Sequence, residues 1–309
     1  MSTSELVCLG EPMVEFNQLK AGDDLYKAGF GGDTSNTAIA AARQGARTGY
    51  LTAIGQDRFG DLLLELWRRE GVDTGGVKRD ATAPTGIYFV THDTDGHHFH
   101  YYRAGSAASR MTPADLPLDL VKGAKILHVS AISQAISESA CETVFAAIDA
   151  AVDAGVRVCF DTNLRLKLWP LDRAREAIEA AVRRADILRP ALDDAQTLTG
   201  LHDPDAILDH YLAMGPRLVV MTMGKDGVVL ATRAERHRLP PNRVAAVDAT
   251  GAGDTFNGSF LARLIAGDAP LDAARYANAA AALKCTGYGA VAPIPRPETV
   301  RAFLAETRS

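Results

Sequence analysis

Two patterns of apolar and polar positions alternate along the chain: short β-branched runs and longer segments with helical periodicity. The helical segments 34–44, 61–70 and 138–154 are each followed by glycine, a common residue just past a helix C-terminus. Strands separated by helices of this length indicate βαβ units and a mainly parallel sheet. Such sheets bind ligands at the carboxyl ends of their strands. The strand candidates are 6–9, 49–54, 125–129, 156–160, 217–222 and 227–231.

Three further strand-like runs interrupt this alternation. They are 13–18, 86–91 and 97–102. The last two flank Asp93-Thr94-Asp95-Gly96, an Asp-Gly hairpin signal. We therefore predict one α/β domain over 1–309, with a discontinuous β-lid formed by roughly 11–33 and 85–105. A small sheet over the strand ends would exclude water from a reaction.

Composition narrows the range of functions. A net charge of −5 leaves no basic excess to neutralise phosphates, which argues against a nucleic-acid partner. No run reaches the length of a membrane span and no signal peptide precedes the first strand, so we expect a cytoplasmic protein without a membrane partner. The cysteines are far apart, and we expect buried, reduced thiols. This expectation rests on Cys8, Cys159 and Cys285, which lie in apolar or small-residue runs; the fourth cysteine is Cys141.

The candidate chemistry lies in Gly251-Ala252-Gly253-Asp254, which follows a short apolar segment, 244–247, and opens a helix. Glycines let an anion approach the backbone, and unpaired N–H groups at a helix N-terminus attract it. Asp254 could take a proton from an attacking hydroxyl, or it could simply stabilise the helix dipole. We expect the helix to have one apolar face. That face would contain Phe256, Phe260, Leu261, Leu264 and Ile265.

The chain resembles the ribokinase-like (PfkB) sugar kinases in several motifs that occur in the expected order. The run Asp248–Gly258 resembles the C-terminal signature of that family, and Gly31–Asn36 resembles its N-terminal Gly-Gly signature. The segments 54–60, 161–165 and 222–227 are also similar, so the resemblance covers about residues 5 to 305. By contrast, neither a Walker loop nor a dinucleotide fingerprint is present.

The resemblance implies a three-layer fold with a mostly parallel central sheet and a β-lid that joins homo-oligomers. It implies ATP and Mg²⁺ as cofactors, with K⁺ or another monovalent cation in addition, and Asp254 as the base beside an anion hole of the Gly251, Ala252 and Gly253 amides. It assigns to the sugar Gly31, Gly32, Asp33, Asn36, Tyr88, Tyr101, Arg103, Arg165, Asp248 and Asp254. It assigns to the nucleotide Asn163, Arg165, Thr222, Gly224, Gly227, Gly251, Gly253, Asn278 and Ala282.

The predicted metal residues are Asp194, Asp248 and Thr250. Many family members have Asn-x-x-Glu where this chain has Ala191-Leu192-Asp193-Asp194. The Asn side chain of the motif is absent here and a carboxylate remains. The resemblance therefore does not define which residues surround Mg²⁺. The resemblance places a monovalent cation near Asp248 and Thr250. The later Ala-rich helix, 273–283, either contacts the nucleotide or simply packs closely.

The run 101–109 resembles the 2-keto-3-deoxygluconate kinases within that family. A sugar acid carries a carboxylate, which arginine binds through two parallel hydrogen bonds, and Arg103 and Arg165 would supply them. Alternatively, Arg165 touches only phosphate, Arg103 pairs on the surface and Tyr88 belongs to the lid core. We expect phosphoryl transfer to the 6-hydroxyl of 2-keto-3-deoxygluconate. The alternatives are a neutral sugar or a nucleoside as acceptor, or a non-catalytic sugar-binding protein.

Overall fold

A large central sheet dominates the computed structural model, which describes residues 4–94 and 96–306. Asp95, in the predicted hairpin turn, lies outside the described residues. In chain order the strands are β1 (Leu6–Leu9), β2 (Met13–Gln18), β3 (Tyr26–Gly31), β4 (Thr48–Gly55), β5 (Val77–Asp80), β6 (Ile87–Asp93), β7 (Gly96–Tyr102), β8 (Ile126–Ser130), β9 (Arg157–Asp161), β10 (Ile187–Arg189), β11 (Leu218–Thr222), β12 (Val228–Ala231) and β13 (Arg236–Leu239).

Nine of the described strands form the large sheet, in the order β13-β12-β11-β10-β9-β8-β1-β4-β5. All neighbours are parallel except β11–β12 and β12–β13. Helices cover both faces. They are α1 (Asp33–Arg43), α2 (Arg58–Glu70), α3 (Leu118–Lys122), α4 (Ala131–Ala135), α5 (Glu138–Asp153), α6 (Leu171–Val182), α7 (Leu192–Thr199), α8 (Pro204–Met214), α9 (Ala252–Ile265), α10 (Pro270–Lys284) and α11 (Pro297–Glu306).

The strand side chains alternate between two apolar cores. In β1, Val7 and Leu9 face the core that includes α5, α6 and α8, whereas Leu6 and Cys8 face the core that includes α1, α2, α9 and α10. Burial on both faces explains why these strands are uninterrupted apolar runs in the sequence. The predicted three-layer α/β fold is therefore confirmed. No helix among the described residues is both long and apolar enough to cross a membrane.

The smaller sheet predicted from the sequence is also present, in the order β3-β2-β6-β7. Strands β2 and β6 pair in parallel, while β2–β3 and β6–β7 are antiparallel. Phe16 and Phe89 stack at 5.1 Å between ring centroids and help to join β2 to β6. No strand was predicted at β3, because its exposed residues lack apolar alternation.

The helix α9 is buried more extensively than the sequence predicts. Eight consecutive residues, Thr255–Ala262, are buried, because α1 and α10 pack against α9 on two sides. Leu264 and Ile265 are half-buried and pack against the same core as Phe256, Phe260 and Leu261, so the predicted apolar face is present, but residues 255–262 are buried on the other sides of the helix as well. A side chain at Gly258 would overlap the carbonyl oxygen of Thr37, so this glycine permits the close approach of α1 and α9.

Candidate active site

Polar residues follow the parallel strands where those strands end at one edge of the large sheet. Glu11 follows β1, Asp161 ends β9, Arg189 ends β10 and Thr222 ends β11. The smaller sheet is adjacent to this edge, since β1 continues into β2 and β3 continues into α1. The described structure therefore gathers charged groups at the edge where the sequence predicts a ligand.

Asp254 lies in the first turn of α9 and is held by α1. The Asn36 side-chain amide donates to Oδ2 of Asp254 at 2.8 Å, and the Thr37 hydroxyl donates to the Asp254 carbonyl oxygen at 3.4 Å. The other carboxylate oxygen, Oδ1, accepts no hydrogen bond from the described residues. Asp254 is half-buried, so one oriented oxygen remains for a ligand hydroxyl.

The surroundings of Asp254 make its carboxylate a stronger base than usual. Burial has the largest effect and the Asp33 carboxylate adds to it, so that the pKa of Asp254 is raised to about 8. The Asn36 amide and the Arg165 charge oppose this rise. A base with a pKa near neutrality is suited to accept a proton during a reaction.

A chain of hydrogen bonds connects Asp33 to the end of β9. Asp33, in the first turn of α1, accepts from the Asn163 side-chain amide at 2.9 Å. The Asn163 backbone N–H in turn donates to Asp161 at 3.1 Å. The two family-like motifs that contain these residues are thus joined directly, beside Asp254.

A second network of hydrogen bonds connects α9 to the ends of β9 and β10. The Arg189 Nε donates to Oδ1 of Asn257, whose amide nitrogen donates to Asp161 at 2.6 Å. The Arg189 guanidinium also lies 4.4 Å from the centroid of the Phe256 ring. Asn257 is one helical turn beyond Asp254, so this network sets the rotation of the helix that carries the candidate base. The predicted site did not include Arg189 or Asn257.

The backbone around the predicted anion hole is only partly free. The Ala252 N–H donates to the carbonyl oxygen of Ala249 at 3.1 Å, whereas the amides of Gly251 and Gly253 donate to no acceptor in the described chain. Gly251 has φ 78°, and a side chain there would lie 3.0 Å from Cβ of Ala290. Two amides, rather than three, are therefore uncommitted in this conformation.

Gly253 permits a test that separates chemistry from folding. A Cβ at Gly253 would meet no protein atom within 4 Å, and φ is not positive there. We expect Gly253→Ala to raise the free energy of unfolding by about 0.5 kcal/mol. If the transferred phosphoryl group lies against this amide, turnover falls by up to roughly 100-fold, because the new methyl displaces it. Chemical denaturation and steady-state kinetics measure the two effects, and unchanged turnover would contradict the anion-hole assignment.

Asp248 is already surrounded by hydrogen-bond donors. Its carboxylate accepts from the Thr250 and Gly289 N–H groups at 2.8 Å each, and its carbonyl oxygen accepts from Nζ of Lys284 at 2.7 Å. Partial burial acts in the opposite direction, but these donors hold the pKa of Asp248 below its usual value. A monovalent cation at this carbonyl would have to displace the Lys284 ammonium, so the residues present do not fit the predicted cation site.

Asp194, in the first turn of α7, has one carboxylate oxygen available for Mg²⁺ or for a water bound to it. One carboxylate oxygen accepts from the Leu164 N–H at 3.0 Å, and the other accepts no bond within the described residues. Burial raises the pKa of Asp194 to about 6. No cluster of three or more His, Cys, Asp or Glu residues in the described chain could hold a metal ion. Mg²⁺ is commonly held by one or two carboxylates together with waters and substrate phosphates, and the free oxygen of Asp194 could take part in such a site.

The lid residues Tyr88 and Tyr101 pack together, with ring centroids 5.5 Å apart. The Tyr88 hydroxyl donates to Glu15, a buried lid carboxylate that sequence reasoning missed. Burial raises the pKa of Glu15. A Cβ at Gly31 would lie 2.5 Å from the Tyr88 hydroxyl, so this glycine is required by packing whether or not it also contacts a sugar.

The two predicted carboxylate-binding arginines occupy different environments. Arg103 is mostly covered, with 11% of its side chain exposed, and it donates through Nε to Glu11 at 2.6 Å, while the Ser106 hydroxyl donates to the same carboxylate. Arg165 is exposed, donates to the carbonyl oxygen of Leu164 and forms no ion pair with a carboxylate of the described chain. Of the two arginines, Arg165 is therefore the one without an ion-pair partner in the described chain. The left-handed φ of 104° at Gly32 lets its backbone pass Glu11 closely.

The predicted nucleotide residues lie towards the antiparallel end of the large sheet. This applies to five of the nine predicted residues, Thr222, Gly224, Gly227, Asn278 and Ala282; the other four, Asn163, Arg165, Gly251 and Gly253, are described above. Gly227 has φ 90°, and a side chain there would overlap the carbonyl oxygen of Leu239. Asn278, on α10, donates to the carbonyl oxygen of Pro240 at 2.8 Å. The contacts of these residues with a nucleotide stay a prediction.

Comparison with known proteins agrees with this architecture. The profile of the pfkB family carbohydrate kinases matches residues 3–297. A 2-dehydro-3-deoxygluconokinase of Thermoproteus tenax is 36% identical over 97% of this chain and 94% of its own. Fructokinase-1 of Oryza sativa subsp. japonica is 35% identical over 94% of this chain and 95% of its own.

Solved structures share the fold. A putative ribokinase II from E. coli in complex with ATP and Mg²⁺ superposes with a TM-score of 0.92, covers 98% of this chain and 99% of its own, and is 24% identical. The fructokinase from Vibrio cholerae O395 with bound fructose, ADP and calcium ion gives a TM-score of 0.88 at 30% identity, over 98% of this chain and 100% of its own. The fold is ribokinase-like, as the motifs implied.

Fold and motifs together define an ATP-dependent kinase that acts on sugars. The chain belongs to the pfkB family of carbohydrate kinases.

Proposed function

We propose that this kinase transfers the γ-phosphoryl group of ATP to the 6-hydroxyl of 2-keto-3-deoxygluconate, giving 2-keto-3-deoxy-6-phosphogluconate and ADP. The observation that carries this choice is Arg165, an exposed arginine without a carboxylate partner in the described chain. Its charge acts on both Asp254 and Tyr101. A sugar carboxylate at this position would gain charge-assisted hydrogen bonds from the guanidinium.

In the proposed reaction Asp254 accepts the proton of the 6-hydroxyl through its free Oδ1. The hydroxyl oxygen then forms a bond to the γ-phosphorus, and the bond between that phosphorus and the bridging oxygen of ADP breaks. The amides of Gly251 and Gly253, at the positive end of α9, would stabilise the charge on the transferred group. Mg²⁺, with Asp194 in its outer shell, would neutralise charge on the phosphates.

Removing the Arg165 charge should affect acidic and neutral sugars differently. We expect Arg165→Ala to lower kcat/KM for 2-keto-3-deoxygluconate by roughly tenfold or more, because a charge-assisted hydrogen bond contributes about 1.5–3 kcal/mol. With a neutral sugar the loss should be much smaller. Arg157→Ala is the matched control, since Arg157 is an exposed arginine at the opposite end of β9. Equal losses on acidic and neutral sugars would contradict the carboxylate contact.

The second candidate is phosphorylation of a neutral sugar such as fructose. Two observations favour it: the rice fructokinase is almost as similar as the archaeal sugar-acid kinase, and Arg103 is already neutralised by Glu11. The half-buried carboxylate of Asp33 and the buried carboxylate of Glu15 near the site would also disfavour an anionic ligand. Under this alternative Arg165 would contact only phosphate, and Arg165→Ala would weaken the reaction with every sugar alike.

We further propose that the enzyme works in the cytoplasm as a homo-oligomer joined through the lid. Large apolar side chains on the lid support this, because exposed apolar groups commonly mark protein interfaces. They include Leu19, Leu25, Tyr26, Phe99 and Tyr102.

A further inference from the structure

Lys284 is a buried charged residue to which no predicted role applies. It is the last residue of α10 and has a relative exposure of 0%. Its Nζ donates to the carbonyl oxygen of Asp248 at 2.7 Å. Burying an ammonium group is strongly unfavourable unless it has charged or hydrogen-bonding partners. Such a group needs a reason beyond filling space, because a methionine would fill the same volume.

The partners of Lys284 belong to the phosphoryl-transfer site. Burial lowers the pKa of Lys284, and the carboxylates of Asp248, Asp254 and Glu15 oppose this shift. The carboxylate of Glu15 comes from the lid, that of Asp254 is the candidate base, and Asp248 begins the loop that leads into α9. The ammonium is thus a buried positive charge that acts on three carboxylates of the site, as the guanidinium of Arg189 does on Asp161.

The backbone next to Lys284 is tied to the same loop. The carbonyl oxygen of Cys285 accepts from the N–H groups of Val247 and Asp248, at 2.7 and 3.1 Å. The loop that leads to Gly251 is therefore fastened at its first residues by the backbone and by the ammonium together. A shift in the position of the Asp248 carbonyl group would also shift the amides of Gly251 and Gly253, which donate no hydrogen bond within the described chain.

We propose that Lys284 is a built-in monovalent cation, a positioning residue that holds the 248–251 loop in the conformation needed for phosphoryl transfer. An ammonium group and a potassium ion carry the same charge and both bind carbonyl oxygens. With the Lys284 Nζ on the Asp248 carbonyl, turnover needs no added monovalent cation. This inference rests on the sugar-kinase activity of the family and is independent of which sugar is the natural acceptor.

The first test uses the unmodified enzyme and whichever sugar it phosphorylates fastest. Initial rates are compared at constant ionic strength in tetramethylammonium, sodium, potassium and ammonium chlorides, since tetramethylammonium is too large for a carbonyl-lined cation site. We expect the same rate in all four salts. Strong activation by potassium or ammonium would overturn the proposal, even if no Lys284 variant folds.

The second test removes the charge. We expect Lys284→Met to lower kcat by roughly 10- to 100-fold, as for loss of a charged hydrogen bond, with smaller changes in the KM of ATP and sugar. Ammonium or potassium chloride should restore part of the rate in this variant alone. Lys122→Met, at the exposed end of α3, is the control for net charge and should behave as the unmodified enzyme. A folded Lys284→Met protein with full kcat, or with a loss that no cation repairs, would show a purely structural role.

Discussion

Replacing Asp254 with asparagine lowers turnover by roughly 10²–10⁴-fold while ATP still binds, because the substitution removes the proton acceptor and leaves the backbone amides in place. The asparagine retains the shape of the side chain, so its contact with Asn36 changes little. Steady-state kinetics and a nucleotide-binding titration measure the two quantities.

The pH profile of the same pair of enzymes gives a second signature. Since the pKa of Asp254 is raised, the free enzyme carries the proton below that pKa, and kcat/KM should rise with pH as Asp254 ionises. This acid limb should lie well above the pH range of an ordinary carboxyl group. In Asp254→Asn the limb should vanish from the residual activity.

The competing interpretation makes Asp254 only a helix-stabilising carboxylate. It predicts a stability loss of about 0.3–1 kcal/mol for Asp254→Asn and nearly normal turnover. Asp172→Asn is the matched control, because Asp172 is an exposed carboxylate in the first turn of α6. If the two variants behaved alike in kinetics as well as in stability, Asp254 would not be the base.

Asn257→Leu should destabilise the protein by about 3 kcal/mol, because it leaves the buried Arg189 and Asp161 without their shared amide. Leucine matches asparagine in shape, so little of this loss would come from packing. Because Asn257 also sets the rotation of α9, turnover should fall even under conditions in which the variant is fully folded. Chemical denaturation gives the stability and initial rates give the activity.

Ser259→Ala provides the control on the same helix. Ser259 is fully buried, but its hydroxyl has no hydrogen-bond partner among the described residues. Its removal should therefore leave the free energy of unfolding unchanged or raise it slightly. An Asn257→Leu variant as stable as Ser259→Ala would mean that the Arg189–Asn257–Asp161 network contributes nothing.

The sequence predicted the parts of the fold that depend on local pattern. Strands buried on both faces, such as β1 and β11, are continuous apolar runs and were recognised. The three-residue strand β10 and the polar strand β13 were not, because pairing with neighbours, rather than their own residues, makes them strands. The apolar face of α9 was predicted, but the burial of its other sides was not, since nothing local shows that two helices cover it.

The residues of the candidate site also form two groups, one that the local sequence predicts and one that it does not. The glycines and Asp254 were found because they are contiguous and begin a helix. We did not predict Glu11, Glu15, Arg189 and Lys284, because the role of each depends on contacts with residues far away in the chain. The pairing of Glu11 with Arg103 is an example: it spans 92 residues and changes which arginine is free to bind a substrate. No periodicity in the sequence reports such a contact.

The central claim is that a sugar acid is the phosphoryl acceptor, and a comparison of ADP-release rates tests it most directly. Purified enzyme, ATP and Mg²⁺ are supplied with 2-keto-3-deoxygluconate, its galactonate epimer, fructose, ribose or adenosine, and kcat/KM is determined for each. We expect the highest value for 2-keto-3-deoxygluconate, with the product phosphorylated at the 6-position. A higher kcat/KM for fructose, ribose or adenosine would contradict it.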